Sequence, residues 1–393
     1  MQYIDQANIA GRRALIRVDF NVPLNADFEV TDDRRIREAI PTIKHILAEG
    51  GSCVLMSHLG RPKEQEEKFS LRHAISTLKS YVDAEVLFAD DCIGEAAFEM
   101  SAGLKPGQIL LLENLRYYKE EKKGDEAFAK KLAKHGEFYV NDAFGTAHRA
   151  HASTTVVAQF FEDKYCGLLL KKEIENANKV LNSDERPICA IMGGAKVSDK
   201  ILIIENLLER VDTLLIGGGM AYTFLKARGF EIGTSLLEKD KIATAADLIK
   251  KANIKGVRLL TPVDSVVSDK FGEDGTIRTL RNAEHPADMM GLDIGPQTVM
   301  NYAQLILDAK IILWNGPMGV FEMAPFARGT MAVADTLAKA TENGAFSLIG
   351  GGDSAAAIKK AGLEDKVSYV STGGGALLEF LEGKTLPGIA ALG

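Results

Sequence analysis

The 393 residues carry a formal net charge of −7, with 46% hydrophobic and 26% charged side chains. That balance describes a folded chain of about two or three domains and excludes a general nucleic-acid or membrane binder, so any basic site must be local. No apolar run approaches the ~18 residues needed to span a bilayer, and the N-terminal MQYIDQANIAGRR has charges where a secretory signal needs an apolar core.

Short Val-, Ile- and Leu-rich runs alternate with longer amphipathic stretches from end to end. The first half has RALIRVDF, SCVLMSH, AEVLFAD, QILLLEN and EFYVNDA. None alternates apolar with polar, which predicts strands buried on both faces in a parallel sheet. DEAFAKKLAKHG between them has the three-and-four apolar spacing of a helix. CGLLLKKEIENANKVLNSDERP reads as a long helix and a polar loop, after which the strand pattern restarts. The second half then runs PICAIMG, DTLLIGG, VRLLTPVDSVV, KIILWNG, FSLIGGG and KVSYVST. DKILIIENLLERV is again helical in its spacing, FGEDGTIRTLRNAEHPADMMG is a turn-rich surface insertion, and LLEFLEGKTLPGIAALG is a last helix and tail. The repeated strand–helix order predicts an α/β fold. It has two doubly wound, Rossmann-like parallel-sheet domains facing across a cleft and joined by a helix. The expected boundaries are 1–170, completed by the tail 376–393, and 171–375.

In such sheets ligands bind beyond the carboxyl ends of the strands. In the first half those ends bring Asp19, Asn21, His58, Arg61, Arg116, His148, Arg149 and His151 toward one edge, and Arg35, at a helix start, joins them. Guanidinium forks match phosphate and carboxylate oxygens two at a time, so this edge predicts an anion site. Singly, any of these arginines equally suits a surface ion pair.

The second-half strand ends are glycine-rich: GGAKVSDK, GGGMAY, DIGP, NGPMGVFE, GGGDSA and STGGGA. Glycine lets backbone approach a ligand, and a helix start behind it presents free N–H groups to an anion. Lys196 and Lys200 stand four apart; on a helix they would be neighbours that repel unless an anion lies between them. Asp353 suits a phosphate that carries Mg²⁺, and Glu322 suits ribose hydroxyls.

Familiar fingerprints fit poorly. The Gly-Lys-Thr at 383–385 lacks the P-loop glycine, because position 378 is Leu378. GxGxxA spans Gly350 to Ala355, but the ribose-binding acid expected after the next strand is Ser371. His148 and His151 have no third metal ligand beside them. The four cysteines, Cys53, Cys92, Cys166 and Cys189, form no CxxC pair and read as buried thiols. The residues therefore favour a small-molecule phosphotransferase. An NAD-dependent dehydrogenase and a non-catalytic nucleotide or sugar-phosphate binder remain open alternatives.

The chain also resembles the phosphoglycerate kinases over its whole length. RVDFNVPL, SHLGRP, LLENLR, DAFGTAHRAH, GGAKVSDK, GGGMAYTFL, WNGPMGVFE, GGGDSA and STGGGA follow that family's motifs in order. The resemblance implies reversible transfer of the 1-phosphoryl group of 1,3-bisphosphoglycerate to MgADP by a cytoplasmic, monomeric glycolytic enzyme. It implies that Asp19, Asn21, Arg35, His58, Arg61, Arg116 and Arg149 hold phosphoglycerate. Lys200 would contact the nucleotide phosphates, Asp353 the metal and Glu322 the ribose. Gly217, Gly218 and Pro317 would lie near adenine, and Gly350 and Ser354 would belong to the nucleotide loop. Arg35 and Lys196, with backbone N–H groups of Gly351, Gly352, Gly373 and Gly374, would surround the moving phosphoryl group. The family usually has Thr where this chain has Ser354. A hinge is expected in the connecting helix and near STGGG.

Overall fold

In the computed structural model, which describes residues 1–393, the apolar runs become two six-stranded, wholly parallel sheets. The first holds β1 (Arg13–Arg17), β2 (Ser52–Met56), β3 (Val86–Ala89), β4 (Ile109–Leu112), β5 (Phe138–Asn141) and β6 (Lys164–Cys166), in the order β3-β4-β2-β1-β5-β6. The second holds β7 (Ile188–Met192), β8 (Thr213–Ile216) and β9 (Arg258–Leu260). A small antiparallel sheet follows, from β10 (Asp264–Ser268), β11 (Ile277–Arg281) and β12 (Met290–Ile294). The chain then returns to the second sheet with β13 (Ile311–Asn315), β14 (Phe346–Gly350) and β15 (Tyr369–Val370), giving the order β15-β14-β13-β7-β8-β9.

Every residue of β2, β4, β5, β7, β8 and β13 is buried. That is why their sequences show no alternation: helices cover both faces, and each buried Leu or Ile contributes about 1.5–3 kcal/mol. Trp314 is fully buried in β13 and satisfies its indole N–H on the Gly316 carbonyl at 2.8 Å.

The antiparallel sheet and β6 depart from the sequence reading. VRLLTPVDSVV is not one strand: β9 ends before Pro262, and β10 starts in another sheet. Proline cannot donate to a ladder and so breaks the run. The stretch read as a turn-rich insertion supplies β11 and the first residues of β12. β6, only three residues long, had too little apolar signal to be seen.

The chain divides into two compact units, Met1–Glu175 with Thr385–Gly393, and Asn176–Lys384. The first break falls inside the connector helix Leu168–Asn182. Residues 376–384, expected with the first unit, group with the second, where the Asn206 side-chain amide donates to the Leu381 carbonyl. The tail beyond them returns to the first unit: Gly388 N–H donates to Ala147 O at 2.8 Å, and its carbonyl accepts from Asn141 Nδ2 at 3.1 Å.

Candidate active site

In the first unit the four interior strands, β4, β2, β1 and β5, carry the polar loops, and the edge strands β3 and β6 carry none of the expected residues. Asp19 and Asn21 follow β1, His58 and Arg61 follow β2, Arg116 follows β4, and Arg149 follows β5. Arg35 lies in the first turn of helix Arg34–Ala48. Its Nη1 reaches the Asn21 carbonyl at 2.9 Å and Asp19 Oδ2 at 3.2 Å. Asn21 Oδ1 accepts from Gly60 N–H at 2.8 Å, and the Gly60 carbonyl accepts from Arg116 Nη1 at 2.7 Å. The loops after β1, β2 and β4 are thus tied into one surface. Arg149 Nε donates to His148 Nε2 at 3.1 Å, and Arg61 is exposed on the β2 loop.

Behind them sits Arg17, the last residue of β1, only 1% exposed. Its Nε donates to Ser153 Oγ at 2.8 Å, and Ser153 Oγ donates to the buried Glu121 carboxylate at 2.6 Å. Its Nη2 lies 3.1 Å from His58 Nδ1. Burial, then Arg17, Arg116, Arg35 and Arg149, hold the His58 imidazole well below its ordinary range. Burial, then Arg149 and Arg17, push Arg116 down to about 10, and its Nε–H has no protein partner. Positive charge is crowded here beyond what Asp19 and Glu121 balance, which is the electrostatic signature of an anion seat.

The second sheet has the doubly wound order whose direction reverses between β7 and β13, and ligands gather at that switch point. Five of the six glycine-rich turns follow its strands. The sixth, DIGP, follows β12 of the antiparallel sheet and begins helix Pro296–Leu307. Several glycines serve loop-on-loop packing. Gly316 has φ +95°, and a Cβ there would lie 2.3 Å from the Gly193 carbonyl. A Cβ on Gly217 would lie 2.4 Å from Met318 Sδ, and Gly217 lines neither of the two cavities along this edge. Gly352 differs: its φ is ordinary and a Cβ would meet nothing within 4 Å, so the fold itself does not require glycine there.

Two cavities meet along this edge. One, of ≈ 470 Å³, is walled by Gly218, Tyr222, Leu236, Phe271, Pro317 and Met318, with the exposed Glu322 at its side. The other, of ≈ 390 Å³, is lined by Lys196, Lys200, Asn315, Gly351, Gly352 and Gly374. Gly194, Ala195 and Asp353 line both, so the two form one groove with an apolar end and a polar end. The exposed Asp353 stands in the first turn of helix Gly352–Lys360, whose leading N–H groups have no helical acceptor.

Lys196 and Lys200 are not helical neighbours. Lys196 lies in the loop after β7, Lys200 N–H closes a turn on the Val197 carbonyl at 2.8 Å, and the helix starts at Ile201. The two lysines reach the same cavity from a loop and a helix cap. The Lys200 ammonium donates to Asn315 Oδ1, and burial lowers its pKa against the opposing pull of Asp199, Asp353 and Glu382. Asn315 Nδ2 in turn donates to the carbonyl of Gly350, the last residue of β14, at 2.8 Å. Ser354 Oγ is fully buried and accepts from Gly316 N–H at 2.6 Å, so this hydroxyl braces the β13 turn. Gly373 N–H is taken by Ser371 Oγ at 3.0 Å, which removes it from the donors expected to face a phosphoryl group.

No group of three or more His, Cys, Asp or Glu side chains is placed to hold a metal, and the four cysteines are buried and unpaired. A lone carboxylate such as Asp353 fits a cation whose remaining ligands are phosphate oxygens and water.

A family model described as phosphoglycerate kinase matches residues 4–384. The chain belongs to the phosphoglycerate kinase family. It is 52% identical to the phosphoglycerate kinase of Porphyromonas gingivalis across 99% of each chain. It is 50% identical to the cytosolic phosphoglycerate kinase of Triticum aestivum, across 99% of this chain and 97% of the relative. Among solved structures, phosphoglycerate kinase from Coxiella burnetii superimposes with a TM-score of 0.88 at 40% identity, covering 99% of this chain and 97% of that one. The Pyrococcus horikoshii enzyme does so at 0.85 and 32%, covering 100% and 98%.

Two residues of this phosphoglycerate kinase fold escaped motif reading. Arg17 is hidden in an apolar strand run, where its only signal was a guanidinium between Ile16 and Val18. Asn315 read as a turn residue before glycine, yet it anchors Lys200 and joins β13 to β14.

Proposed function

We infer that this chain catalyses reversible transfer of the 1-phosphoryl group of 1,3-bisphosphoglycerate to ADP, giving 3-phosphoglycerate and ATP. One observation carries the reading beyond family membership: Arg17 lies against the buried His58 while Arg35 and Arg116 are tied through Asn21 and Gly60 into the same surface, so the seat beside them suits a small, highly charged anion. Arg35, Arg61, Arg116 and Arg149 bind the phosphate and carboxylate of phosphoglycerate, with Asp19, Asn21 and His58 fixing its orientation. In the second unit the apolar cavity receives the base, with Gly218 and Pro317 against the ring and Glu322 at the ribose. Lys200, held by Asn315, meets the nucleotide phosphates.

The acceptor in the ATP-consuming direction is a carboxylate, ionised at neutral pH, so no general base is needed. His58 is unsuited to that role anyway, because burial and four cations keep it from taking a proton. Catalysis rests on alignment and charge: Lys196 and Arg35 neutralise the transferring phosphoryl group, and the backbone donors at Gly352 and Gly374 face its oxygens. Magnesium, when bound by Asp353 and the phosphates, neutralises charge on the terminal phosphate oxygens.

Reacting atoms must come within about 3–3.5 Å. We propose that binding of both substrates closes the units by a hinge at the connector helix and near STGGG, excluding water. An unchanged radius of gyration by small-angle scattering with both substrates bound would end that proposal. The same reading makes the enzyme monomeric and cytoplasmic, with no nucleic-acid or membrane partner; no helix is long and apolar enough to cross a membrane, and a relative is named cytosolic.

A coupled assay with 3-phosphoglycerate, MgATP and NADH-linked detection of the acyl phosphate tests the function. NADH oxidation must require both substrates and fall by orders of magnitude in Lys196→Ala. Binding of both substrates with no turnover would favour a non-catalytic binding protein instead.

A further inference from the structure

The start of the connector helix is held by side chains that the reaction does not use. Leu168 N–H donates to Thr42 Oγ1 at 2.8 Å. Leu169 and Leu170 N–H donate to Asp142 Oδ1 at 2.9 and 3.1 Å. A helix leaves its first four N–H groups without internal acceptors, and here three are met by side chains remote in sequence. The ordinary device is a Ser, Thr, Asp or Asn just before the helix. Gly167 stands there instead, and a Cβ on it would lie 2.2 Å from Asp142 Oδ1. The helix is therefore pressed against its acceptors.

The two acceptors come from elements with another task. Thr42 sits on helix Arg34–Ala48, two turns along the same face from Arg35. Asp142 opens the loop that carries Arg149, and its own N–H donates to the Arg17 carbonyl at 2.9 Å. Thr42 and Asp142 are both 0% exposed. Separating Asp142 from the helix would leave the buried N–H groups of Leu169 and Leu170 unpaired, and separating Thr42 would take the acceptor from the half-buried Leu168 N–H. Both are unfavourable, so the first turn follows its acceptors when they move. That helix runs on to Asn182, past the division between Glu175 and Asn176.

We propose that Thr42 and Asp142 are positioning residues that pass occupancy of the arginine-rich seat to the connector helix. An anion that draws Arg35 and Arg149 together shifts helix Arg34–Ala48 and the β5 loop, and both deliver that shift to Leu168–Leu170. The proposal rests on reading the seat as the phosphoglycerate site.

Hydrogen-exchange mass spectrometry on the full chain, followed at the peptide covering residues 167–171, tests it alongside calorimetric binding of 3-phosphoglycerate. In the wild type, saturating 3-phosphoglycerate slows exchange there by about tenfold, within the range of ordinary coupling between sites. Thr42→Val keeps the shape but loses the acceptor; it binds 3-phosphoglycerate within a few-fold of wild type, loses the added protection, and loses kcat more than KM. Thr42→Ser and Asp142→Asn, which keep an acceptor oxygen, restore both. Failure of the wild type to bind 3-phosphoglycerate overturns the functional reading. Binding with unchanged exchange in the wild type, or full protection in Thr42→Val, overturns the coupling; the wild-type comparison needs no variant to fold.

Discussion

Arg17 Nη2 lies 3.1 Å from His58 Nδ1, and this contact determines where the imidazole keeps its proton. A guanidinium only donates, so Nδ1 accepts and the proton sits on Nε2. Nitrogen-15 NMR should show a neutral Nε2–H ring at pH 8 and again at pH 5.5. An imidazolium signal at pH 5.5 would show that the arginines do not suppress protonation.

The same logic governs acid stability. His58, His135 and His151 all lie below the ordinary 6.5, the last two at about 4, with burial the first cause in each. The unfolded chain protonates them near 6.5, so it binds more protons across that window. Stability is therefore full above pH 6.5 and declines as pH falls toward 4. His135 alone contributes about 3 kcal/mol by this route. In His135→Gln, urea unfolding should depend less on pH between 6.5 and 4.5.

Asp142 acts in the opposite sense. Burial raises its carboxyl from 3.8 to about 7. The folded chain binds the extra proton, so this contribution is full below pH 3.8 and lost as pH rises through 7. Asp142→Asn should be more stable than wild type at pH 8 relative to pH 5, by on the order of 3 kcal/mol. Parallel pH profiles for the two proteins would contradict the shift.

Gly316 and Gly352 should separate packing from ligand approach. Gly316→Ala puts a methyl against the Gly193 carbonyl at a positive φ, and thermal unfolding should fall sharply. Gly352→Ala meets nothing and should fold as well as wild type. Its turnover should nevertheless fall at least about tenfold, because the methyl occupies the approach of the phosphoryl oxygens. Unchanged kcat in Gly352→Ala would remove that residue from the site.

Asn315→Leu should release Lys200 and leave the Gly350 carbonyl unpaired, at a cost of about 1–3 kcal/mol in stability. The KM for MgATP should rise while binding of 3-phosphoglycerate stays the same. By contrast, Lys196 is exposed, so Lys196→Ala should leave stability within about 0.5 kcal/mol and lower kcat by about 10²-fold or more.

Much of this was legible along the chain because parallel strands buried on both faces write themselves as unbroken apolar runs, as at Ile188–Met192 and Ile311–Asn315. The clustering of Arg35, Arg116 and Lys200 with their neighbours at strand ends and helix starts was readable only as a set, because each charge singly also suits an ion pair, as Arg35 makes with Asp19. The antiparallel sheet was not readable, since Ile277–Arg281 is mostly exposed and carries little apolar signal. Nor were the internal duties of Ser354 and Gly373, because a motif names a residue without saying which of its atoms are already bonded. Spacing misled at Lys196, where the four-residue step was taken in a loop.

The return of the tail at Gly388 to Asn141 and Ala147 has a consequence for biosynthesis. The arginine-bearing unit is assembled from two segments, Met1–Glu175 and Thr385–Gly393, separated in synthesis by the whole of Asn176–Lys384. At translation rates of ~5–20 residues per second, roughly ten to forty seconds pass between Glu175 and Thr385. During that interval the backing of the Arg149 loop waits for nine residues not yet made, while the intervening unit already has all of its chain by the end of it.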